Sequence, residues 1–207
     1  MKFRSILYGV GKAGNIVGRK GKGGEFIIAA YQPQVANPNT QAQQIVRAKA
    51  KLITQTFGPM APWAKVFIKP SGKRTYWSEL VKLNLDEAVT GTFPSFEVDF
   101  QKAVLANGSL ELPFNAQASI DSNTLSLTWA DNSGMGGASA TDEAAVIMYD
   151  KTKKLAIFQT DVAKRSERTG SVTIPTSWNS DSIEVWMAMR AVSGEISKSQ
   201  YLGTFTV

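Results

Sequence analysis

Strict alternation in the second half of the chain narrows its fold more than any other feature. In Thr124-Leu125-Ser126-Leu127-Thr128-Trp129 apolar and polar residues take turns, so Leu125, Leu127 and Trp129 share one face of an extended strand. Ile183, Val185, Met187 and Met189 repeat the pattern, with Glu184, Trp186 and Arg190 opposite. Further short apolar runs at 102–106, 109–112, 144–149, 155–159, 171–174 and 200–207 are separated by turn formers. Asp131-Asn132-Ser133-Gly134, Asp150-Lys151-Thr152-Lys153 and Ser193-Gly194-Glu195 are examples. Roughly seven or eight short strands at this spacing predict a fibronectin-III-like or immunoglobulin-like β-sandwich over residues 93–207.

Upstream the period changes. Asn37-Pro38-Asn39-Thr40-Gln41-Ala42-Gln43 joins turn formers to a capping box, with Thr40 as N-cap and Gln43 following it. Ala42, Ile45, Val46, Ala50, Ile53 and Phe57 then recur at helical spacing until Gly58-Pro59, which predicts a helix over 40–57. Pro62 opens a second helix, 62–68, carrying Trp63, Val66 and Phe67. A third covers 75–89, with Trp77, Leu80, Val81, Leu85 and Ala88 inward and Gly91 beyond its end. Ahead of these helices Gly9, Gly11, Gly14, Gly18, Gly21, Gly23 and Gly24 break residues 1–36 into short strands, the best of them 25–31. Lys20-Gly21-Lys22-Gly23-Gly24 reads as a cationic hairpin tip. Glycine at this density argues against an independent core, so the segment is expected to order against the rest of the protein or a partner. The expected class is α+β, mainly β: a glycine-rich β-hairpin and two or three short helices in residues 1–92, then the sandwich in 93–207.

Charge divides along the same line. Residues 1–90 hold 14 Lys+Arg against 4 Asp+Glu, and residues 91–207 hold 9 against 13, which together give the formal +6. A basic first part facing something acidic is the physical reading. The chain has no cysteine and no histidine, which removes thiolate nucleophiles, His-based triads and His or Cys zinc sites. Neither an enzyme nor a cofactor is expected. The opening apolar run is broken by Gly11, Lys12 and Gly14 too soon for a signal-peptide core, and no stretch approaches the roughly 20 apolar residues of a membrane span. No membrane partner is expected, and the expected location is a virion or the cytoplasm.

Gly9-Val10-Gly11-Lys12-Ala13-Gly14 matches a G-x-G-x-x-G string, but the glycines after it prevent the helix a dinucleotide site needs. Arg19, Lys20 and Lys22 at the hairpin, with Arg47 and Lys51 one turn apart on the first helix, are the candidate contacts for assembly or for a polyanion. Tyr31, Trp63, Tyr76 and Trp77 are the aromatics that a single-stranded nucleic acid would stack on. Residues 131–142 form a glycine-rich loop in which Asp131, Asn132 and Asp142 are candidate contacts. Their spacing is not that of an EF-hand, so no metal is assigned. Trp178 and Trp186 join that loop as candidates for a carbohydrate or cell-surface binding face.

Several motifs carry a family resemblance. They are the early glycines with Val17, the Asn37–Gln43 element followed by Arg47, Glu87-Ala88-Val89-Thr90-Gly91-Thr92-Phe93-Pro94, Thr128-Trp129-Ala130-Asp131-Asn132-Ser133-Gly134, and Tyr201-Leu202-Gly203. On these the chain resembles the Bacteroidota family known as domain of unknown function 6266, across nearly its whole length. The resemblance implies an Ig-like C-terminal half and assigns no biochemical activity, since the family is functionally uncharacterised. The Asn-Pro-x-Thr-x-x-Gln-x-x-x-Arg element more loosely resembles segments of small phage structural proteins. The expected function is therefore a non-enzymatic structural protein, a capsid-decorating or neck or tail component. Its expected partners are copies of itself or capsid and tail proteins, and it is expected to be oligomeric. Nucleic-acid association and glycan binding are the alternatives.

Overall fold

The computed structural model describes residues 10–33 and 38–207, which belong to two compact units, one ending at Thr40 and one running Gln41–Val207. In the first, β1 (Gly11–Ala13), β2 (Ile16–Lys20) and β3 (Phe26–Ala30) make an antiparallel three-stranded sheet in that order. Lys20 pairs with Phe26, and the turn between them is closed by Gly21 N–H donating to Glu25 O at 2.7 Å and Gly24 N–H to Gly21 O at 3.1 Å. Gly24 takes a φ of +85°, which glycine adopts without strain. The expected hairpin is present, lengthened by one short strand.

The second unit begins with α1 (Gln41–Phe57), directly after Thr40. A single 3-10 turn, Gly58–Met60, leads into α2 (Ala61–Phe67). Pro59 and Pro62 are tolerated there because first-turn positions need no intrahelical N–H bond. Thr75 caps α3 (Tyr76–Glu87), its Oγ1 accepting Ser78 N–H at 3.2 Å. β4 (Val89–Thr92) and β5 (Ser95–Val98) form a separate hairpin, with Lys49 Nζ of α1 5.3 Å from the Phe96 ring centroid.

Seven antiparallel strands then build the sandwich. β6 (Phe114–Asp121), β7 (Thr124–Ala130) and β10 (Thr169–Thr173) lie in the order β10-β7-β6. β8 (Glu143–Asp150), β9 (Leu155–Lys164), β11 (Ser182–Arg190) and β12 (Gln200–Thr206) lie in the order β12-β11-β8-β9. Ser122 and Asn123, at φ +46° and +64°, give the two-residue β6–β7 hairpin the paired left-handed geometry that matches strand twist. As the alternation predicts, Leu125, Leu127 and Trp129 face Ile183, Val185, Met187 and Met189 across the inner core.

The opposite face of the four-stranded sheet is buried as well. Ala145, Ile147 and Tyr149 of β8 and Trp186 and Ala188 of β11 pack under the helices, against Ile53, Phe57, Met60, Trp63, Phe67 and Leu80. Trp63 stacks on Phe67 with ring centroids 3.9 Å apart and meets Phe158 edge-on. β8 and β11 thus form the middle layer between the three-stranded sheet and the helices.

Several expectations need correction. The compact units part after Thr40 rather than near residue 92, because α1–α3 cover the outer face of β8 and β11 and share one core with it. Residues 102–106 and 109–112 are not ladder strands: Phe100–Lys102 is a 3-10 turn, and Leu110 makes only an isolated bridge to Ser197. The chain from Val104 to Asn107 is instead bonded by side chains and single carbonyls. Asn84 Oδ1 accepts Val104 N–H at 2.8 Å and its Nδ2 donates to Val104 O at 2.9 Å. Ser199 Oγ accepts Leu105 N–H, Trp63 Nε1 donates to Leu105 O, and Phe67 O accepts Asn107 N–H. β4, β5 and β6 fall where no strand was expected. On α1, Ala42 is exposed and Val46 is 62% exposed, so only Ile53 and Phe57 of the expected stripe are fully buried.

Candidate docking surface

Pairing puts Ile16, Gly18 and Lys20 on one face of β2, together with Ala30, Ile28 and Phe26 of β3. Val17 and Arg19 share the other face with Ala29 and Ile27. Among residues 10–33 only Gly18 is buried; Ile16 and Ile28 are 46% and 48% exposed. Burying one such side chain contributes about 1.5–3 kcal/mol, so this sheet holds stabilisation that a covering surface would realise. Lys12, Arg19, Lys20 and Lys22 oppose the single acid Glu25, giving residues 10–33 a net +3. The Glu25 side chain lies over the turn, where a Cβ on Gly21 would collide with its carboxylate. Lys12 Nζ sits 3.5 Å from the Tyr31 ring centroid, covering one face of that aromatic. Of the G-x-G-x-x-G string, Gly9 lies outside the described residues; Gly11 and Gly14 lie in β1 and the turn to β2, with no helix after them.

The five candidate cations divide between the units. Arg19, Lys20 and Lys22 are exposed on the sheet and its turn, while Arg47 and Lys51 are exposed one helical turn apart on α1. α1 contains no acidic residue. Of the other aromatics named for stacking, Trp63 is fully buried, and Tyr76 and Trp77 pack against the helical core.

The 131–142 loop is organised from within. Arg165, fully buried, donates from Nε to Asp142 Oδ2 at 3.1 Å, from Nη1 to Asn132 Oδ1 at 2.5 Å and from Nη2 to Glu111 O at 2.8 Å. Asn132 Nδ2 donates to Leu112 O, and Trp129 Nε1 to Arg165 O. Asn132 and Asp142 are therefore internal struts rather than contacts for a ligand, because a buried guanidinium must be met by a buried carboxylate and further acceptors. Asp131 stays half-exposed. Hydrogen bonds from Ser133 hold its carboxyl below the usual range. Trp178 and Trp186 are buried, which removes both as platforms for a sugar. Among the described residues no three Asp, Glu, His or Cys side chains group as metal ligands, and no helix is long and apolar enough to cross a membrane.

Sequence reasoning did not anticipate the role of Glu184. Its buried carboxylate accepts from Lys151 Nζ at 2.6 Å, Tyr201 OH at 2.6 Å and Thr204 Oγ1 at 2.8 Å. Burial, then the bond to Glu184, pushes the Tyr201 hydroxyl up to about 12. An unfolded tyrosine titrates near about 10. The protonated phenol's contribution to stability is therefore complete below about pH 10 and is lost as pH rises through about 12. Unfolding free energy of Tyr201→Phe is expected to fall less steeply than wild type between those limits. Equal slopes in chemical denaturation would exclude this role for Tyr201. A cleft of about 250 Å³ beside this cluster is lined by Leu52, Gln55, Phe100, Tyr149 and Lys154, with Lys151 committed to Glu184.

Compared with known proteins, residues 8–203 match the model of a family described as a family of unknown function, DUF6266. No curated protein matches the chain.

Proposed function

The chain belongs to the DUF6266 family, whose model covers the small sheet, the helices and the sandwich together, and we propose that it is a non-enzymatic assembly protein docking through its basic N-terminal sheet. The observation that carries this reading is a three-stranded sheet of net +3 with no buried side chain among its described residues. Such a sheet gains order and burial from a partner surface that is acidic and partly apolar. The setting we favour is a phage or phage-like particle, for which the Asn37–Arg47 element supplies the support.

Light scattering on the full chain at low and high salt, with and without the triple reversal Arg19→Glu, Lys20→Glu and Lys22→Glu, tests the reading. Wild type is expected to associate with a protein partner, itself or a capsid or tail subunit, and to release it as salt rises. The triple variant is expected to lose association by at least about tenfold. Unchanged association in the triple variant would overturn the reading. DNA or RNA bound with a steep salt dependence, and weakened by Arg47→Glu with Lys51→Glu, would favour nucleic acid as the partner instead.

A further inference from the structure

Strand pairing brings four loops to one end of the sandwich. Phe114 pairs with Ala130, Thr169 with Thr128, Glu143 with both Lys164 and Arg190, so residues 111–113, 131–142, 165–168 and 191–195 all emerge there. Three apolar side chains stand exposed at this end: Phe114 at 47%, Met135 at 53% and Val192 at 81%. Asp142 and Arg165 neutralise each other inside. What remains on these loops is Glu111, Asp131, Glu167 and Glu195 against Arg168, a net −3.

These loops are also pre-organised. Arg165 ties the 131–142 loop to the 111–113 segment, and Gly136 lies so close to the Glu111 side chain that an added Cβ would collide with it. Gly134 N–H donates to Ala138 O at 2.8 Å and Ala191 N–H to Glu195 O at 2.8 Å, closing the turns that carry Met135 and Val192. A surface fixed before binding loses less entropy on association.

We infer that this loop end is the acceptor for the basic N-terminal sheet of a second copy of the chain. The inference rests on the docking reading above and names its partner. The net −3 of the loops meets the net +3 of residues 10–33, and exposed apolar side chains stand on both surfaces: Phe114, Met135 and Val192 on one, Ile16 and Ile28 on the other. Because donor and acceptor are different surfaces, the contact is head-to-tail, and each added copy presents a new acceptor.

The test uses two full-length variants. The loop variant is Met135→Lys with Val192→Lys, both exposed positions; the sheet variant is Arg19→Glu, Lys20→Glu and Lys22→Glu. Wild type is expected to grow in mass with concentration at low salt, and each variant alone to stay monomeric. An equimolar mixture is expected to form a one-to-one dimer and nothing larger, since it retains one intact sheet and one intact loop end. Thermal melts matching wild type confirm that both variants fold. A loop variant that assembles like wild type, beside a sheet variant that does not, overturns the acceptor and leaves the docking reading standing. A sheet variant that assembles like wild type overturns both. A wild type that is monomeric at every concentration and salt excludes a second copy as the occupant.

Discussion

Arg165→Ala is expected to destabilise the protein by about 3–5 kcal/mol, the range for removing one partner of a buried ion pair. The guanidinium is fully buried and meets the Asp142 carboxylate, the Asn132 amide and the Glu111 carbonyl. Without it the buried Asp142 carboxylate keeps only the Ser139 N–H at 2.8 Å and is left as a desolvated charge with no countercharge. Urea unfolding monitored by tryptophan fluorescence measures the effect. Arg165→Met combined with Asp142→Asn removes both charges and is expected to recover a large part of the loss, because the severe term is the orphaned charge rather than the missing attraction. A single Arg165→Ala that melts within about 1 kcal/mol of wild type would show that water reaches the site and screens it.

Asn84→Ala is expected to be the next most damaging change, by about 2–4 kcal/mol, from two half-buried backbone groups losing their partners together. Asn84 lies on the inward face of α3 and bonds both the N–H and the C=O of Val104. Its amide supplies to an isolated extended segment what a neighbouring strand would supply in a sheet. Asn84→Asp keeps the acceptor for Val104 N–H and loses the donor to Val104 O, so it does not rescue stability. Hydrogen exchange gives a second readout: the Val104 amide is expected to lose protection in Asn84→Ala, while the β7 and β11 amides exchange only with global unfolding. Equal protection in the variant would mean that another group takes over the bond.

Legibility in the sequence followed periodicity. The three helices, and the inward faces of β7 and β11, were readable because a helix or a half-buried strand repeats its apolar residues at 3.6 or 2. The middle layer was harder. Glu143-Ala144-Ala145-Val146-Ile147-Met148-Tyr149 does not alternate, and a strand lacking alternation is one buried on both faces. Read that way, it would have pointed to a cover over the outer face, and so to helices that share the sandwich's domain. Asn84 also carried a signal, as a polar residue one turn after Leu80 on an otherwise apolar stripe.

The candidate site was legible only in part. Glycine density and charge singled out the N-terminal segment, and exposure of Ile16, Ile28, Arg19, Lys20 and Lys22 agrees with the absence of a core there. Composition in the 131–142 loop misled, because oxygen-bearing side chains in a glycine-rich loop look alike whether they face a ligand or an internal arginine. Arg165 stands 23 residues from Asp142 and 33 from Asn132, at separations that no local rule connects.

The sequence by itself determined which segments are helical, which strands have an inward apolar face, where charge concentrates, and that histidine and cysteine chemistry is absent. These follow from each residue and its near neighbours. Only the tertiary structure decided that α1–α3 lie on the outer face of the four-stranded sheet, that Val104 to Asn107 is held by side chains and single backbone bonds rather than by a strand ladder, and that Asp142 serves Arg165. Each of those outcomes is a pairing between residues distant in the chain. What selects it is that buried apolar faces must be covered and buried polar groups must find partners, conditions met in three dimensions and written at no single position.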